Sequence, residues 1–367
     1  MTDPVTSPRL ERFRFAGNAA EYFGIWIVNL FLTVITLGIY SAWAKVRRKR
    51  YFYGNTWLAD SNFEYHGNPV AILKGRIIAF VAFVAYSLTT QYSPKLGGLL
   101  FLLLVPAVPW IVVRSFAFNA VNSSYRNLRF HFDGTYRDAL AAVWPLFVVA
   151  LVGLAMPQMD PEHPPKSVGE IWFVFVAPVI LLFIYPYVLA KVKLLQVNHS
   201  RYGTADFECG ATVGRFYRIY LLAALILVAI IFAFGAIMGL LAVATLGFGL
   251  VLFPVFYIAG GALLLAYTKA RVGNLVFNTS SIVGGWRFRS SLRVRKLAMI
   301  YAANLIAIVI SLGLLIPWAA VRTARYRADC LALEGEGDLD AFVGDMSRQV
   351  NATGEEMGEM FDVDLSL

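Results

Sequence analysis

The sequence predicts an all-α integral membrane protein, with about eight transmembrane helices arranged as repeated hairpins and joined by short cytoplasmic strand-like connectors. Three observations carry that expectation. Long segments hold no charge at all, namely Leu221 to Ala266 and Leu96 to Val113; the first far exceeds, and the second approaches, the ~20 residues that cross a hydrocarbon core. The composition is 59% hydrophobic and 15% charged, where a soluble domain averages about 45–50% and about 25%. Cations, finally, gather where the apolar runs end.

Taken in order, residues 1–20 are polar, 21–328 form the membrane domain, and 329–367 form an acidic segment expected to be flexible or weakly helical. Apolar spans fall near 22–43, 71–91, 96–118, 139–156, 170–190, 216–240, 246–268 and 297–320. The first lacks a small-residue cleavage pattern, so it is expected to stay and direct insertion. The net charge of +9 divides unevenly: from Asp329 onward one Arg meets eleven acidic residues, which leaves +19 for the rest. Most Lys and Arg lie in four long connectors, near 44–70, 114–138, 191–215 and 269–296, and in Arg322–Arg327. Short links near 91–95, 156–169 and 239–246 are almost free of them. Positive connectors stay inside, so a bacterial inner membrane with cytoplasmic connectors is expected. The lipid bilayer, including anionic lipid, is the expected partner; nucleic acid is not, and nothing indicates a homo-oligomer.

The connectors resemble one another. Each reaches an Asn-containing turn (Asn55-Thr56, Asn122-Ser123, Asn198-His199-Ser200, Asn278-Thr279-Ser280). Each then shows aromatic alternation: Phe63-Glu64-Tyr65, Phe130-His131-Phe132, Phe207-Glu208-Cys209 and Trp286-Arg287-Phe288. Period-two alternation predicts short strands. Phe13-Arg14-Phe15 repeats the pattern, and residues 34–51 match 309–326 at ten of eighteen positions, with Asn29 falling on Asn304. A single crossing for 22–43 places the N-terminus outside. Re-entry is the alternative, but the seven residues from Gly38 to Lys45 give only ~10 Å of helix, so the single crossing is the expectation.

The segment Phe13-Arg-Phe-Ala-Gly-Asn-Ala-Ala-Glu-Tyr-Phe-Gly, with Thr36-Leu-Gly-Ile-Tyr-Ser-Ala-Trp-Ala-Lys-Val-Arg-Arg48 and Phe63-Glu-Tyr-His-Gly-Asn-Pro69, resembles the YjgN-like family of bacterial inner-membrane proteins. That family is defined as a domain of unknown function. The resemblance implies location and topology and supplies no active-site residue.

Candidate chemistry is sparse. Glu64 and His66, His131 and Asp133, and His199 and Glu208 could bind a metal or relay protons if their strands met; a solvated polar face is the plainer account. Cys209 and Cys330 have no CxxC partner, so neither a disulfide framework nor a zinc site follows. No catalytic, cofactor or metal motif is expected. Asn29 and Asn304 are candidate pore or helix-packing groups. Lys45, Arg47, Arg48, Lys49, Arg50, Arg322 and Arg325 are candidate lipid-interface cations. The expected function is a channel or passive transporter for a small solute or ion. The alternatives are a non-enzymatic scaffold or envelope factor, and a lipid-handling or metal-dependent membrane enzyme.

Overall fold

A computed structural model of the protein describes residues 9–155, 168–245 and 253–350. Each connector folds in the same steps. The hydroxyls of Thr56, Ser123, Ser200 and Ser280 donate to carbonyls four residues back, at 2.6–2.8 Å. They satisfy oxygens that a helix end leaves without partners. A three-residue strand and a five-residue strand follow: β3 Thr56–Leu58 and β4 Ser61–Tyr65, β5 Ser123–Tyr125 and β6 Leu128–Phe132, β7 Ser200–Tyr202 and β8 Ala205–Cys209, β9 Ser280–Ile282 and β10 Trp286–Ser290. Positive φ at Ala59 and Asp60, and at Arg126 and Asn127, supports the tight turns of the first two hairpins.

These hairpins do not lie separately on the membrane. Strands β4 and β5, β6 and β7, and β8 and β9 pair antiparallel with each other. β11 (Leu331–Gly335) pairs both β10 and β1 (Arg9–Arg12), while β2 (Arg14–Phe15) pairs β3. The result is one eleven-stranded sheet whose two end strands, β1 and β2, are separated in sequence by Phe13 alone. The sheet is therefore a nearly closed, barrel-like ring, and closure removes the exposed edges that short strands would otherwise present.

Alternation decides what fills the ring. Phe63, Phe130, Phe207 and Phe288 turn inward with Phe13 and pack on Leu58, Tyr125, Leu128, Tyr202, Ile282, Trp286 and Leu333. Glu64, Arg129, His131, Glu208, Arg287 and Arg289 face out. The Tyr125 hydroxyl donates to Leu58 O at 2.7 Å, and that of Tyr202 to Tyr125 O at 3.0 Å. Burial pushes both phenols above their ordinary range, so they remain neutral donors. Gly67 follows for a steric reason: a Cβ there would lie 2.5 Å from the Tyr65 ring, and Gly17 and Gly134 stand in the same relation to Phe15 and Phe132.

The helices form a second ring on the side of the barrel opposite the hairpin turns. They are α1 Ala19–Ile35, α2 Ser41–Gly54, α3 Pro69–Tyr92, α4 Pro94–Leu104, α5 Ala107–Val121, α6 Tyr136–Ala155, α7 Val168–Asn198, α8 Val213–Ala244, α9 Phe253–Asn278, α10 Val294–Ile310 and α11 Ile316–Asp329. Neighbours in chain order pack together, and α1 packs on α11 to close the circle.

Three expectations are corrected. The protein is not all-α, because the strand-like segments are one continuous sheet. It does not show eight crossings: among the described residues four helices are long and apolar enough to span a membrane, Pro69–Tyr92, Lys95–Val121, Val179–Asn198 and Val213–Leu241. The first and last apolar runs are not single crossings either. Leu37 and Gly38, and likewise Leu312 and Gly313, adopt positive φ, and this left-handed turn reverses α1 into α2 and α10 into α11. Both hairpins begin and end at the barrel, with Leu37 and Leu312 94% exposed at their tips. The link near 156–169 and the tip near 246 lie largely outside the described residues.

Within the described residues the acidic segment forms β11 and a helix. After β11, residues 339–350 form a helix whose Leu339, Phe342, Val343, Met346 and Val350 pack on the barrel core. Asp338 and Asp340 pair with Arg9 and Arg126. Contacts with Gly203, Thr204 and Gly284 place this helix over the hairpin turns, so it caps the barrel end remote from the helices.

Candidate functional site

On the inner side of the helix ring, α2, α8, α9, α10 and α11 line an open cavity of about 1230 Å³. Its wall is apolar, with Leu227, Ile231, Phe234, Leu305 and Ile308 among the lining residues. Arg48, Lys49, Lys269 and Arg327 also line it, and no Asp or Glu does. The side chains lie at different depths for a simple reason. Arg48, Lys49, Lys269 and Arg327 come from the barrel-side turns of α2, α9 and α11, whereas Leu227, Leu305 and Ile308 lie further along their helices. The cavity is thus basic near the barrel and apolar away from it. A second chamber of about 600 Å³ continues it to the barrel base at Phe13, Phe15 and Phe63, sharing Phe52, Tyr53, Lys269, Tyr301, Ala324 and Arg327.

The polar candidates separate by role. Asn29 and Asn304 are buried, at 7% and 6% exposure. Arg47 Nη1 donates to Asn29 Oδ1 at 3.4 Å, and Arg322 Nη1 to Asn304 Oδ1 at the same distance. Asn304 Nδ2 also donates to Ala319 O and Thr323 Oγ1, at 3.2 and 3.0 Å. Each Asn therefore ties an outgoing helix to its own return helix; Asn304 also contributes to the cavity wall, and Asn29 does not.

The basic run of α2 wraps around its helix. Lys45 is exposed, Arg50 Nε donates to Tyr65 O at 3.3 Å, and Lys49 bonds Asn119 while sitting 4.5 Å over the Tyr65 ring. Arg322 and Arg325 lie on the opposite face of α11 from Arg327, in an outer groove with Lys296. Lys269 and Arg327 were legible only as connector cations, and nothing in their local sequence marks them as cavity residues.

The histidines do not converge. His66 Nε2 meets Ser124 Oγ at 2.7 Å and Glu64 at 3.5 Å. His199 Nδ1 meets Asp133 at 3.1 Å, and Asp133 is shared with Arg201 at 2.8 Å. Asp138 accepts from Thr135 N and Oγ1, at 2.9 and 2.6 Å, which holds its carboxyl below the usual range. Among the described residues no group of three or more His, Cys, Asp or Glu could hold a metal ion. Among the described residues a Cβ at Gly235 or Gly239 would meet nothing.

Comparison with known proteins follows this geometry. The family of bacterial proteins of unknown function designated DUF898 matches residues 10–360. The inner membrane protein YjgN of Salmonella typhimurium is 28% identical over 357 residues, covering 89% of this chain and 89% of the relative. Proteins of the same name from Escherichia coli O157:H7 and K12 are 28% and 29% identical over 39% of the chain and 36% of their own length. No solved structure matches.

Proposed function

From the premise that the chain belongs to the DUF898 family of bacterial proteins of unknown function, we propose that it is a passive inner-membrane transporter whose central cavity takes up an anionic amphiphile. The supporting observation is the cavity's polarity: four cations and no carboxylate at the barrel end of an apolar chamber. Cations gathered with no carboxylate among them repel one another, and an anionic headgroup offsets that cost. The apolar wall then matches a hydrocarbon portion. A chamber of about 1230 Å³ exceeds the ~300–1,000 Å³ of ordinary small-molecule pockets. The packed barrel and its capping helix favour a chamber closed at that end over a channel for small ions.

Purified protein analysed by native mass spectrometry should retain an anionic lipid or similar amphiphile. Lys269→Gln with Arg327→Gln should reduce its occupancy roughly ten-fold or more, given about 1.5–3 kcal/mol for each contact to a charged group. Retention of neutral species only, or unchanged anion occupancy, would remove the proposal.

The excess of Lys and Arg on the barrel side supports a cytoplasmic barrel. A fluorescent-protein reporter fused to the C-terminus should then be bright and an alkaline phosphatase fusion inactive. The reverse pattern would place the barrel in the periplasm.

A further inference from the structure

Helix α11 separates two sites. Its inner face carries Ala319, Ala320, Thr323 and Arg327 toward the central cavity. Its outer face carries Trp318, Arg322 and Arg325 into a separate groove of about 890 Å³, completed by Lys296 and Met299 of α10 and by residues 16–19 at the start of α1. Three cations thus meet one carboxylate, Asp329.

None of the three is neutralised by it. Arg322 bonds Asn304 Oδ1 and sits 5.0 Å over the Trp318 ring. Arg325 Nη2 donates to Gly17 O at 2.9 Å. Lys296 Nζ sits 5.0 Å over Tyr326. These contacts fix the side chains in position, and among the described residues none of the three has a carboxylate within ion-pair distance.

Beyond the cations, the same face of α10 is apolar. Lys296, Met299, Ile306 and Ile310 recur at helical spacing, and the last three are 55%, 48% and 78% exposed. From Met299 to Ile310 the helix rises about 16 Å, close to half of a ~30 Å hydrocarbon core. Arg322 reaches Asn304, and Trp318 lies nearer the hairpin tip, so the cations flank Met299 and the exposed strip continues past them as Ile306 and Ile310.

We infer that this outer groove binds one anionic phospholipid, its phosphate held by Lys296, Arg322 and Arg325 and an acyl chain lying on Met299, Ile306 and Ile310. The occupant is a membrane lipid rather than a soluble anion, because the strip has no other use for a free phosphate. The site lies outside the central cavity and stands whether or not that cavity takes an amphiphile.

Trp318, one of eight tryptophans, reports on the groove directly. The full chain is reconstituted in vesicles of phosphatidylglycerol and phosphatidylcholine, with either lipid brominated in turn. Its Trp318 signal is taken by difference from Trp318→Phe. Brominated phosphatidylglycerol should quench Trp318 preferentially. Lys296→Ala with Arg325→Ala should lower that preference at least five-fold, the factor that roughly 1 kcal/mol for a single basic residue corresponds to. If the double variant misfolds, Lys296→Ala alone should lower it about five-fold and Lys296→Arg should retain it. Equal quenching by both lipids, or a preference unchanged in the variants, would overturn the site. Loss of the preference on adding millimolar inorganic phosphate at constant ionic strength would assign the groove to a soluble anion instead.

Discussion

Leu339→Asp with Val343→Asp should release the capping helix from the barrel and lower the stability of the whole strand ring, by on the order of 5 kcal/mol. Both residues are buried against the barrel core. Each buried apolar side chain of this size contributes about 1.5–3 kcal/mol, and placing an unpaired carboxylate there adds a desolvation cost. The ion pairs Asp338–Arg9 and Asp340–Arg126 involve exposed carboxylates and should hold the helix only weakly once its apolar stripe is lost. Limited proteolysis of the detergent-solubilised protein should then cut within 338–350, and the thermal midpoint should fall. An unchanged midpoint with full protection would mean that the helix does not close the barrel.

Trp286→Ala should be the most damaging single substitution in the ring. Trp286 is 1% exposed. It stands where β10 meets β9 and β11, opposite Ile282 and Gly335, and it also faces Phe342 of the capping helix. Removing a fully buried Trp costs about 3–5 kcal/mol, a large part of what a typical domain has. Trp286→Phe keeps most of the apolar volume and should lose less than half as much. Chemical denaturation followed by circular dichroism separates the two. Equal loss in both variants would shift the cause from volume to the indole itself.

The units of this fold were legible before its assembly was. The alternation in Phe63-Glu64-Tyr65 identified a strand with one apolar face, and the Asn-Ser/Thr turns marked where helices end. What that alternation could not disclose is the partner. Phe63 lies opposite Tyr125, and Phe207 opposite Ile282, each more than sixty residues away, so nothing local distinguishes a strand resting on a membrane from one stave of a barrel. Length argues against re-entry at Gly38 only if the returning helix must recross a membrane. The seven residues after Gly38 do not need to recross anything, because α2 returns only to the barrel and tucks Arg48 and Lys49 into the cavity. In the acidic segment the stripe Leu339, Phe342, Val343, Met346, Val350 has clear helical spacing. Its surrounding carboxylates drew attention to charge instead. The cavity cations Lys269 and Arg327 were invisible as a site because a cation at a helix exit already has a topological explanation.

Closure of the ring also sets a schedule. Arg9 pairs with Gly335, so β1 waits for β11. With 325 residues between Arg9 and Gly335 and synthesis at about 5–20 residues per second, that wait is about 16–65 seconds. Through it, β2 can pair only with β3, and β1 has no partner. Until then the growing sheet is an open ribbon whose leading edge advances two strands at a time. A chain released before residue 335 can never close, and its free edges become handles for quality-control proteases or for another unfinished copy.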